Sequence, residues 1–159
     1  MPLFLKNTNM PARRYIILAW VIAFFPTLLI SAVVQSIFET KNDLMGQGKV
    51  PAFIVFIGMV VFAPVVETII MAIVIWILRR FTRKDFKIII FSAIFWAILH
   101  SLSWLPWGFI IFWPFIVFSA AYVYWSRKSV IKALMITTCI HAMVNFIPGV
   151  LTFIYLVTR

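Results

Sequence analysis

Glu67 stands alone among apolar residues in APVVETIIMAIVIWILRR, residues 63–80. A carboxylate at the centre of a hydrocarbon span costs about 2.5 kcal/mol or more, so it must serve a purpose there. Three further polar groups sit in the same kind of setting. His100 lies in FWAILHSLSW, and His141 and Asn145 lie in TTCIHAMVNF. A glutamate with two imidazoles suits general acid–base chemistry, in which the carboxylate takes a proton from water attacking a carbonyl. The same three residues, Glu67, His100 and His141, suit a site for zinc or another divalent cation with one position left for water. Asn145 and one histidine can donate hydrogen bonds to the oxyanion that forms. Hydrolysis of a peptide bond within the membrane fits this set. A proton or cation relay in a carrier uses the same groups, although no paired inverted repeat of the carrier type is visible. A third reading is a membrane protein that acts by binding, its polar cluster serving only to fix the bundle.

The elements that must position these residues are membrane helices. Hydrophobic residues make up 65% of the 159-residue chain and charged residues 11%, with a mean hydropathy of +1.11. A soluble domain is about half apolar and about a quarter charged, so the chain is an integral membrane protein. Residues 1–159 form a single membrane domain with five hydrophobic segments at about 15–35, 51–78, 88–104, 107–125 and 130–158. The expected fold is therefore an all-α, multi-pass bundle of about five spans. Pro64 is expected to kink the second segment, and Pro148-Gly149 to break the fifth. The first segment is too long for a signal-peptide core and reads as a retained span.

The net charge of +10 does not point to nucleic acid. Lys6, Arg13 and Arg14 precede the first span, RRFTRKDFK (79–87) follows the second, and Arg127, Lys128 and Lys132 flank the start of the fifth. The first loop instead balances Glu39 and Asp43 against Lys41 and Lys49. A cytoplasmic N-terminus puts every basic loop on the inner side, as the positive-inside rule requires. Cys139, the only cysteine, lies in an apolar span and excludes an intrachain disulfide.

With that topology, Glu67, His100 and His141 each fall about 16–18 Å from the cytoplasmic end of their spans at about 1.5 Å per residue. Asn145 follows His141 at i+4, on the same face. Ala93 and Ala97 allow close approach beside His100, and Thr137 and Thr138 extend the His141–Asn145 stripe. Three antiparallel segments thus raise their strongest polar groups to one level near the bilayer midplane.

Residues 51–150 resemble the core of the CPBP (Abi) family of intramembrane proteases, which includes the type II CAAX prenyl endopeptidases. APVVETIIMA is similar to the family's first motif, a proline turn followed by Glu-Glu-x-x-x-Arg, with Glu67 on the leading glutamate. WAILH is similar to the second motif, an aromatic residue four positions before a histidine, with Trp96 where phenylalanine is usual. HAMVN matches the third, His-x-x-x-Asn. The resemblance implies that Glu67 and His100 activate water and that His141 and Asn145 stabilise the oxyanion. It implies a membrane-associated peptide or protein substrate, a metalloprotease classification for some members, and a bacterial plasma-membrane setting linked to bacteriocin immunity and peptide maturation. Two positions depart from it. Thr68 replaces the second glutamate and Ala72 the arginine, which favours either a divergent protease or a silent relative that binds.

Overall fold

The computed structural model describes residues 3–38 and 50–159, so the charges of the first loop at 39–49 lie outside the described residues. A short 3₁₀ turn, Leu3–Lys6, leads into five helices: α1 (Ala12–Ile37), α2 (Ala52–Phe81), α3 (Asp85–Ser101), α4 (Trp107–Trp125) and α5 (Val130–Val157). No strand is present among the described residues. Helices α1, α2, α4 and α5 are long and apolar enough to cross a membrane. Helix α3, at 17 residues, lies at the short end of the range for a span.

Local chemistry sets the helix boundaries. Pro11 and Pro51 stand at the N-caps of α1 and α2, where a missing N–H costs nothing. Arg79 and Arg80 occupy the last turn of α2 and Asp85 the first turn of α3, each complementing its helix dipole. The Ser129 hydroxyl caps α5 by accepting from the Lys132 amide at 3.3 Å. Short connections force α2 to α5 into antiparallel neighbours.

Helix α4 is the centre of the bundle. Nearly all of its C-terminal half, from Pro114 to Trp125, is buried, whereas α2 buries only Pro64, Thr68, Met71 and Ile75. Hydrophobicity does not drive helices together in lipid, so close van der Waals packing must do so. Ala19, Ala23, Ala93, Ala120, Ala121 and Ala133 are fully buried and let the backbones approach. Gly108 goes further, because a Cβ there would stand 2.5 Å from the Ala97 carbonyl oxygen.

The three basic segments meet at one end of the bundle. Lys128 donates to the Thr8 carbonyl and to Asn9 Oδ1, Arg127 pairs with Asp85, and Arg79 donates to Ser126 Oγ.

The prolines behave differently from expectation. At 64 the chain does not simply kink: α2 widens to a π-turn at Gly58–Phe62 just ahead of the proline. Helix α5 is not broken at Pro148-Gly149 but runs on to Val157. A single missing N–H leaves the rest of the ladder intact, and lipid offers the chain no better partner than its own helix. Where prolines disturb carbonyls, neighbouring side chains take them up. Pro26 deprives the Ile22 carbonyl of its donor, and the Trp113 indole N–H fills that role at 2.7 Å. The Trp20 indole donates to the Met143 carbonyl at 3.2 Å and ties α1 to α5.

Candidate active site

Glu67 lies one turn into the segment of α2 that follows the π-turn, half-buried, and faces α5. Its Oε2 is 3.8 Å from Nε2 of His141, which is only 4% exposed. The pairing that the sequence spacing predicts is therefore present for these two residues. The gap exceeds a hydrogen bond and matches the span that one bridging group could close.

Two phenylalanines of α4 hold the His141 ring. Phe118 stacks on it at 4.5 Å and 27°, and Phe115 meets it edge-on at 5.5 Å and 77°. Phe115 also touches the His100 ring at 5.7 Å, so both imidazoles rest against one phenyl group. Trp107 packs edge-on to His100 at 5.2 Å. The sequence reading overlooks both phenylalanines because an apolar stripe carries no chemical mark. Their one signal is their three-residue spacing, which places them on the same face of α4.

His100 Nδ1 lies 2.9 Å from the Trp96 carbonyl oxygen one turn back. A carbonyl only accepts, so Nδ1 carries the proton and Nε2 is the ring nitrogen with the lone pair. Trp96 is buried and stacks on Phe115 at 4.8 Å, extending the aromatic wall.

Asn145 lies on the same face of α5 as His141, yet its amide is engaged elsewhere. Nδ2 donates to the Met59 carbonyl at 3.0 Å, inside the π-turn. Thr68 and Thr137 are buried, and neither hydroxyl has a hydrogen-bond partner among the described residues. Ala72, four residues after Thr68, packs half-buried against the core.

Among the described residues no three His, Cys, Asp or Glu side chains converge as a metal-ligand set. Glu67 and His141 form a pair that His100 does not complete. The zinc-type arrangement of Glu67, His100 and His141 is thus not assembled among the described residues.

Among known proteins, the family model described as type II CAAX prenyl endopeptidase Rce1-like matches residues 49–147, the stretch that contains Glu67, His100, His141 and Asn145. No curated protein and no solved structure matches the chain.

Proposed function

The chain belongs to the Rce1-like family of type II CAAX prenyl endopeptidases, and we propose that it is an intramembrane endopeptidase that hydrolyses a peptide bond in a membrane-associated peptide or protein. It is a multi-pass membrane protein, and we place it in a bacterial plasma membrane with its N-terminus and basic end in the cytoplasm.

The approach of Glu67 to His141 at 3.8 Å carries the reading. Glu67 is the general base: it takes a proton from water as the oxygen attacks the scissile carbonyl, then returns it to the departing amine. The free Nε2 of His100 accepts the water's other hydrogen and orients the attack. His141, locked by Phe115 and Phe118, presents Nε2 to the oxyanion. Asn145, on the same face of α5, serves the site through its bond to α2 at the Met59 carbonyl. The aromatic wall keeps bulk water away, which strengthens each of these interactions.

A second reading draws on Thr68 and Ala72. They remove the family's second carboxylate and its arginine, as expected of a catalytically silent relative that acts by binding, for example in bacteriocin immunity. The purified protein in detergent, incubated with a panel of membrane-inserted peptides, separates the two. Cleavage by wild type that Glu67→Gln abolishes, while the variant stays folded, supports the enzyme. Equal protection of cells from a bacteriocin by wild type and Glu67→Gln supports the binder.

A further inference from the structure

Helix α5 grips the π-turn of α2 at two points one turn apart, Asn145 and Gly149. A Cβ at Gly149 would stand 2.7 Å from Val60 Cγ2, so the backbone of α5 lies directly on the turn. Asn145 donates to the Met59 carbonyl at 3.0 Å. That carbonyl lacks its usual partner for a reason written in the sequence. The Ala63 amide, its α-helical donor, bonds instead to the Gly58 carbonyl. The next amide along, its π-helical donor, belongs to Pro64 and does not exist. An unsatisfied carbonyl in lipid costs several kcal/mol, so the π-turn persists only with an outside donor.

The widened turn matters because Glu67 lies just beyond it. One extra residue in a helix turns everything downstream by about 100° at about 3.6 residues per turn. The π-turn therefore selects the face on which α2 presents Glu67. We propose that Asn145 is a positioning residue that acts through the Met59 carbonyl, holding the π-turn that aims Glu67 at His141, rather than a donor to the oxyanion. This inference deepens the endopeptidase reading and rests on it only where activity is measured.

Two labels make the contact visible. Met-Val occurs only at 59–60 and 143–144, so carbonyl-¹³C methionine with ¹⁵N valine leaves two resolved carbonyl signals in bilayer NMR. Asn145→Leu should move the Met59 signal and leave that of Met143 in place. The ring ¹⁵N signals of His141 should shift with it as Glu67 turns away. Wild type alone should show a through-space contact from ¹⁵Nδ2 of asparagine to the Met59 carbonyl, which needs no variant to fold. In peptidase assays, Asn145→Leu should lower kcat by about a hundredfold with KM unchanged, because misplacement of the base is the defect. Pro64→Ala supplies the missing amide, so adding it to Asn145→Leu should recover much of the loss.

An unmoved Met59 signal in Asn145→Leu, or no Nδ2 contact in wild type, overturns the proposal. So does a double variant no better than Asn145→Leu, since an amide on α2 cannot replace an oxyanion donor. If wild type cleaves none of the peptides, the endopeptidase reading fails, while the Met59 and His141 signals still decide this one.

Discussion

Glu67 and His141, 74 positions apart in sequence, face each other at 3.8 Å across two helices that touch along the site. With Glu67 as the proton carrier, Glu67→Gln keeps shape and volume and loses the base. Activity should fall by at least about a hundredfold with helical content and detergent stability unchanged. Equal cleavage by wild type and variant would remove Glu67 from the mechanism.

His100 offers a test of which nitrogen works. Its Nδ1–H is spent on the Trp96 carbonyl, so on the endopeptidase reading Nε2 is the working nitrogen. Glutamine places a polar atom near the Nε2 position, and asparagine near that of Nδ1. His100→Gln should retain about tenfold more activity than His100→Asn. The reverse ranking would assign the opposite tautomer.

Restoring the family pattern should be costly in halves and cheaper whole. Thr68 is 1% exposed, so Thr68→Glu buries a second carboxylate next in sequence to Glu67. We expect a loss of about 3 kcal/mol or more in unfolding experiments in detergent. Adding Ala72→Arg, one turn on, should recover much of that loss. Cleavage that appears only in the double variant would mark wild type as a silent relative.

Trp113 and Pro26 form a second carbonyl rescue that can be measured by a double-mutant cycle. Trp113→Phe should destabilise the bundle by about 0.5–1.5 kcal/mol, because the Ile22 carbonyl loses its substitute donor. In a Pro26→Ala background, where the helix supplies its own N–H, the same change should cost little. An equal cost in both backgrounds would mean that the indole contributes packing alone.

Much of the fold was legible because lipid narrows the choices. Long apolar runs had to be helices, and α4 was placed at 107–125 from hydropathy alone. Charged Glu67 and buried His141 could be paired from depth, since alternating directions bring equal offsets to one level. The π-turn could not be read, because apolar periodicity over 52–81 looks the same with or without one extra residue. The bond from Asn145 depends on that turn and was hidden with it, so the sequence suggested only an oxyanion donor. The unbroken run of α5 through Pro148 is not legible because proline's effect depends on whether water competes for the freed carbonyl. Phe115 and Phe118 were invisible for a simpler reason: which apolar residues touch the imidazoles is decided by rotation of α4, and pattern alone does not fix that rotation.

On the endopeptidase reading, the burial of α4 has a consequence for how a peptide would reach Glu67. A rod enclosed by its neighbours and carrying the supports of both imidazoles cannot swing aside without dismantling the machinery it holds. Any portal must therefore open at the rim, where Ala52–Ile57 has no buried residue and the widened turn behind it makes a ready fulcrum. Amide exchange should accordingly run fastest across 52–57 and slowest across 115–125, and the reverse order would put the doorway elsewhere.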